Sequence, residues 1–157
     1  MRRSGILNQP LQAALGRLGH GDLLIVSDVG FPVPDGVERI DLALGEGIPD
    51  LRTVLRLVHA EFITEQLVYA NEMRENNPRL AAWLDDEFTG VDVDARPHTE
   101  MLGDVAARAK VVVRTGDFEP WGNVGLVSGV DAPRFFATEG VVVPEAYRDL
   151  VENKAAN

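Results

Sequence analysis

The chain has 157 residues, 45% of them hydrophobic and 25% charged, which sets the scale of a single domain with a core of its own. A formal net charge of −10 argues against a nucleic-acid binder and against docking on an anionic membrane face. There is no cysteine, so disulfides, thiolate nucleophiles and Cys-based metal sites are excluded as well.

Met1-Arg2-Arg3 is basic, but the residues behind it form no signal-peptide core. No apolar run reaches membrane-spanning length, so a cytoplasmic location is expected. Asn8 is placed to cap a helix with Pro10 in its first turn. Leu11, Ala14, Leu15 and Leu18 mark its inner face and Gly19 its stop. Residues 23–27 read as a buried strand and residues 29–35 as a Gly/Pro loop. Residues 40–44 fit either a strand or a turn, and Gly45, Gly47 and Pro49 break the chain again. A helix follows, with Leu51, Val54, Leu55 and Val58 on one face. Alternation over residues 63–70 predicts a strand; Asn77-Pro78 then opens a helix that turns Leu80, Trp83 and Leu84 inward. Residues 91–96 are extended, and the next helix starts at His98 or Thr99, with Leu102, Val105, Ala106 and Ala109 facing the core. Residues 111–113 and 124–127 are the last strands, with a loop over residues 114–122 between them.

Short strands interleaved with helices give an α/β class and a single compact domain over residues 1–130. From Asp131 the character changes, and residues 131–157 read as a C-terminal extension of unknown role. It is either a loose tail or an arm that packs on a neighbouring subunit. Phe135-Phe136 favours packing, since leaving each ring in water forgoes roughly 1.5–3 kcal/mol.

The chemistry centres on Leu18-Gly19-His20-Gly21-Asp22, the apolar run behind it, and Asp28-Val29-Gly30-Phe31-Pro32. An imidazole and a carboxylate are fixed near the two ends of one short, rigid element, which is what proton transfer needs. Other chemistries find little support. Lys occurs only at 110 and 154, no serine sits in a Gly-x-Ser-x-Gly elbow, and no Gly-rich phosphate loop precedes a helix. His20, His59 and His98 lack metal-ligand spacing. What remains is acid–base work by histidine and carboxylate, with no metal and no cofactor.

Each candidate also has a plainer reading. His20 could cap the preceding helix, Asp28 could form a turn, and His59 could close the helix before it. His98 stands at a helix start, where an imidazole can bond a hydroxyl or serve only as a cap. Trp121-Gly122-Asn123 joins an aromatic face, an unhindered backbone and an amide, a set shared by carbohydrate sites and ordinary turns.

Taken together, these segments resemble the RbsD/FucU sugar mutarotase family, in its D-ribose pyranase branch. The resemblance rests on Gly5-Ile6-Leu7-Asn8, the Gly19-to-Asp22 and Ser27-to-Pro34 segments, Arg39-Ile40-Asp41-Leu42-Ala43-Leu44 and Gly47-Ile48-Pro49. It continues through Glu75-Asn76-Asn77-Pro78, Pro97-His98, and Val113-Arg114-Thr115-Gly116-Asp117 leading to Trp121-Gly122-Asn123. It covers residues 4–130 in the family's order.

The resemblance implies an RbsD-like fold and an isomerase that interconverts pyranose and furanose forms of a free monosaccharide, β-D-ribose above all. It implies a homo-oligomeric ring, often stacked in pairs (a decamer among the options), with the site near a subunit boundary. His20 would be the catalytic proton donor; Asp28, His98, Trp121, Gly122 and Asn123 would hold the sugar. His20 is then expected to face the cavity that Asp28 and Asn123 line. The chain departs from the pattern at Trp121, where ribose members usually carry Tyr, and at Gly122, which is closer to fucose-type relatives. It also lacks a lysine common soon after the family histidine. One extra residue between His98 and Arg114 leaves Thr99 as an alternative occupant of that histidine's place. A fucose-type or other sugar mutarotase, a non-catalytic sugar-binding subunit, and a structural ring former are the other readings.

Overall fold

The computed structural model describes residues 4–154. The basic Met1-Arg2-Arg3 and the last residues of the extension lie outside the described residues. Six strands form one sheet in the order β2-β5-β1-β6-β3-β4. They are β1 (Leu23–Ser27), β2 (Glu38–Asp41), β3 (Thr64–Ala70), β4 (Asp92–Arg96), β5 (Val111–Arg114) and β6 (Asn123–Ser128). Pairing is parallel for β1–β5, β2–β5 and β3–β4, and antiparallel for β6 against both β1 and β3. Five strands therefore run one way and β6 runs back between β1 and β3. This reversal places the start of β6 beside the carboxyl ends of its neighbours.

Helices cover both faces, which explains why β1 is an unbroken apolar run rather than an alternating one. Leu24 and Val26 pack under α1 (Gln9–Leu15), α2 (Leu51–His59) and α4 (Pro78–Glu87), with the short α3 (Met73–Asn76) beside them. Leu23 and Ile25 face the other layer, which begins as α5 (His98–Glu100), widens into a π-turn at Met101–Val105 and ends as α6 (Ala106–Arg108). Asn8, Asp50 and Asn77 cap α1, α2 and α4 through their side chains.

Three expectations shift. The first helix ends at Leu15, with Gly16 as its C-cap, and Leu18 reaches the core through a turn rather than a helical face. Of residues 40–44 only Ile40 and Asp41 are strand, the end of β2 at the sheet edge, where Ile40 alone of the four strand residues is buried; the chain leaves the strand at Leu42. The π-turn rotates the helix face, so Met101 becomes fully buried while Leu102 moves to the rim of a cavity.

Beyond β6, the extension folds back as α7 (Ala132–Phe135) and α8 (Arg148–Lys154), joined through a 3-10 turn at Glu145–Tyr147. Phe136 stacks on Tyr147 at 5.4 Å, while Phe135 is 66% exposed and Val142 83%. Among the described residues no helix is long and apolar enough to cross a membrane.

Candidate active site

Open α/β sheets favour ligands at the carboxyl ends of their strands. Here that edge gathers the end of β1, the residue after Pro97, the loop before β6 and the first residue of β6. Between them lies a cavity of about 350 Å³, lined by Asp28, His98, Trp121 and Asn123 between the apolar walls of Phe31 and Leu102. That volume is at the small end of the range for small-molecule sites, about 300–1,000 Å³.

Asp28 is held by the continuation of the sheet. Its N–H donates to the Gly122 carbonyl at 2.8 Å, adding one rung to the β1–β6 ladder. Its Oδ1 accepts from the Gly30 N–H at 2.7 Å, and its Oδ2 accepts from the Asn123 amide at 3.0 Å. Burial pushes the Asp28 carboxyl above its ordinary range; the Gly30, Asn123 and Phe31 donors and the nearby His98 pull against it without cancelling it.

Because the Asn123 amide nitrogen is committed to that carboxylate, its Oδ1 must point the other way. There it is buried with no partner in the protein. His98 repeats the pattern. As the first residue of α5, it donates its backbone N–H to both oxygens of Glu72, at 3.1 and 3.0 Å, and its ring Nδ1 is buried without a partner. That backbone contact helps hold Glu72 below the usual carboxylate range, second to a hydrogen bond from its own N–H. An amide, an imidazole, a carboxylate and an indole around one cavity suit a ligand rich in hydroxyls.

Trp121 adopts φ +57°, a left-handed backbone that disfavours bulky residues. Its surroundings enforce it. Glu119, two residues earlier, is 7% exposed and accepts from Arg52 at 2.6 Å and from the Asn77 amide at 2.7 Å. The same amide nitrogen of Asn77 also donates to the Pro120 carbonyl at 2.9 Å. Burial pushes Glu119 upward, but these donors and the charges of Arg52 and Arg79 win and hold it below the carboxylate range. Asp117 in turn accepts the Leu51 N–H at 2.8 Å, tying the loop to the start of α2. Gly122 does not line the cavity. A Cβ there would stand 2.6 Å from the Glu119 carbonyl oxygen and 3.2 Å from the Leu51 side chain, so glycine is what lets the loop close.

His20 lies elsewhere. It sits in a turn in which Asp22 donates its N–H to the Gly19 carbonyl at 3.0 Å, with Gly21 at φ +81°, the type II pattern. The Gly21 N–H pairs with the Ser128 carbonyl, so the turn belongs to the amino edge of the sheet. β1 alone puts about 13 Å between this turn and the cavity of the same chain. The His20 ring is 42% exposed, with Nε2 2.8 Å from Glu65 Oε2. Asp28 therefore cannot orient the imidazole of its own chain. His59 closes α2 with its ring tilted 4.3 Å from Phe88, and Thr99 does not reach the cavity.

Sequence reasoning missed Glu72, Glu119 and the apolar walls. Glu72 is 26 residues from the backbone it caps, so no local pattern announces it. Glu119 meets Asn77 and Arg52 from 42 and 67 positions away, so it too has no local signal.

The sequence profile of the RbsD / FucU transport protein family matches residues 1–131. The chain belongs to this family. It is 60% identical over 149 residues to the D-ribose pyranase 2 of Rubrobacter xylanophilus, covering 95% of this chain and 97% of that one. It is 58% identical over 151 residues to the D-ribose pyranase 1 of Streptomyces griseus, covering 96% and 100%. Among solved structures, Bacillus subtilis RbsD complexed with D-ribose superposes with a TM-score of 0.79 at 36% identity, over 83% of this chain and 98% of that one. The first two family members thus match nearly the whole chain, while the match to the Bacillus member leaves about a sixth of this chain uncovered.

Proposed function

We propose that the protein is an isomerase of the D-ribose pyranase kind, interconverting the pyranose and furanose forms of a free monosaccharide, β-D-ribose first among them. The observation that carries the reading is the cavity itself: Asp28, His98, Trp121 and Asn123, two of which carry a buried polar atom that no protein group pairs, line one small space. The two relatives named D-ribose pyranase, at 60% and 58% identity, support it from outside.

Changing ring size means opening a hemiacetal. The anomeric hydroxyl gives up its proton, the bond from C1 to the ring oxygen breaks with its electron pair on that oxygen, and the oxygen takes a proton. The open-chain aldehyde then closes through a different hydroxyl by the reverse steps. Both exchanging oxygens sit on C1, so one imidazole can receive the proton from the first and return it to the second. A positioned group of this kind contributes about 10²–10⁴-fold. His20 takes this role; Asp28, His98, Trp121 and Asn123 hold the sugar, and Gly122 shapes the loop that carries two of them.

His20 reaches a cavity when the amino edge of one copy meets the carboxyl edge of the next. Such a head-to-tail contact, repeated, closes into a ring. A homo-oligomeric ring, a pair of rings making a decamer, and a cytoplasmic location all belong to the proposal. So does the division into a domain over residues 1–130 and an extension over 131–157.

Saturation-transfer NMR on ribose, fucose and related free sugars tests the activity. Added protein should speed pyranose–furanose exchange of ribose, and His20→Ala should remove that acceleration while sugar binding, read by calorimetry, persists. Equal exchange rates with and without protein across the panel reject the enzymatic reading.

A further inference from the structure

We infer that Glu65 is the positioning residue of His20, taking its Nε2–H so that Nδ1 is the nitrogen that meets the sugar. The inference rests on His20 being the acid–base group of the proposed reaction. Three features of the backbone converge on this contact. β3 loses register against β6 between Thr64 and Gln66: Thr64 pairs with Ser128 and Gln66 with Val127, which leaves Glu65 as the extra residue of a bulge. A bulge re-aims one side chain out of the strand's alternation, and here it sends the Glu65 carboxylate to His20 at 2.8 Å. Across from it stands Gly129, where a Cβ would lie 3.0 Å from the Cβ of Glu65 and 3.1 Å from Ile63, so a side chain there would press on the bulge. On the other side, the turn with Gly21 at positive φ presents the imidazole.

Stability does not explain this construction. His20 and Glu65 are 42% and 38% exposed, and exposed ion pairs contribute little to folding. Chemistry explains it better. A carboxylate only accepts, so the neutral imidazole beside it carries its proton on Nε2, and Nδ1 keeps a free lone pair. Nδ1 takes the proton of the anomeric hydroxyl, and the resulting imidazolium keeps its Nε2–H on Glu65. Nδ1 then returns the proton to the ring oxygen, and Glu65 ends the cycle as the carboxylate it was at the start. The other charged group of the turn, Asp22, is occupied: its Oδ2 accepts from the Gly19 N–H and its Oδ1 faces Lys110 at 4.0 Å.

Three measurements on the assembled protein decide the matter. In Glu65→Ala the exchange rate at saturating ribose should fall about 10-fold with KM unchanged, because the sugar is held by other residues. Glu65→Gln, which still offers an oxygen to Nε2, should lose less. In the wild type, nitrogen-15 spectra of histidine-labelled protein should show His20 protonated on Nε2 in its neutral form, with that proton protected from solvent exchange, and Glu65→Ala should lose the protection. A Glu65→Ala enzyme at wild-type rate beside an inactive His20→Ala overturns the inference and leaves the function standing, as does a wild-type spectrum with the neutral ring's proton on Nδ1. A His20→Ala protein that exchanges ribose like wild type overturns the functional reading instead. If Glu65→Ala does not fold, Glu65→Gln and the wild-type spectrum carry the test.

Discussion

The two ends of β1 are built on opposite plans. At the carboxyl end, Asp28 is half-buried, bonded through both carboxylate oxygens, and faced by a loop that a buried Glu119 ties to two helices. At the amino end, His20 rides an exposed glycine turn with one side-chain partner. The first plan fixes geometry by removing freedom from every neighbour. The second presents one reactive group outward and fixes only its ring. β1 holds the two ends about 13 Å apart, so they do not meet within one chain, and in the proposed ring each chain would carry the holding half of one site and the reacting half of another. The comparison makes sense of an imidazole that the chain's own cavity never meets.

Substitutions that strike the carboxyl end should sharpen this contrast. The largest stability effect is expected from Glu119→Ala, which strands Arg52 and the Asn77 amide beneath the loop. About 3 kcal/mol should be lost in urea unfolding, with ribose affinity falling as Trp121 and Asn123 lose their register. Gly122→Ala comes next. Its Cβ collides with the Glu119 carbonyl, and roughly 2 kcal/mol should go, with the cavity distorted. Neither change should alter the His20 turn, whose imidazole signals should stay where they are in the wild type. Movement of those signals would break the comparison.

The smallest effect is a difference in sign with pH. Asp28 binds its proton more tightly in the folded chain than in the unfolded one, so its contribution to stability improves as pH falls through the raised value. Glu119 is held below the usual range, so its contribution is complete above the ordinary carboxylate value and is lost as pH falls through the depressed one. Wild type should therefore gain stability relative to Asp28→Asn as pH falls, since the variant has no carboxyl there to protonate. The deficit of Glu119→Ala should shrink in acid, because the wild type weakens there. Thermal melts of the three proteins at neutral and acid pH read both slopes.

Much of this architecture was legible in the chain. The apolar run of β1 and the helices after Pro49 and Asn77 follow from local spacing, and the α/β class follows from their alternation. Asp28, His98, Trp121 and Asn123 were named from residue type and family resemblance, and the fold brings the four together. What local pattern could not supply was the third dimension of the sheet. The reversal of β6 moves Asn123 beside Asp28, while the length of β1 carries His20 away from both. Glu65 and Glu72 act on residues 45 and 26 positions away, so nothing in their neighbourhood marks them. The motif alone suggests a sugar contact for Gly122; the crowding around it gives it a packing role.

The account stands on a site completed by two copies, and mixing inactive variants tests that most directly. His20→Ala keeps the holding half and Asp28→Ala keeps the reacting half, so each homo-oligomer should be dead in the ribose exchange assay. Co-assembled in equal amounts, about one quarter of their sites pair an intact His20 with an intact Asp28 from a neighbour, and exchange should return to about that fraction of wild type. Mixed oligomers that stay as inactive as either parent would contradict the account.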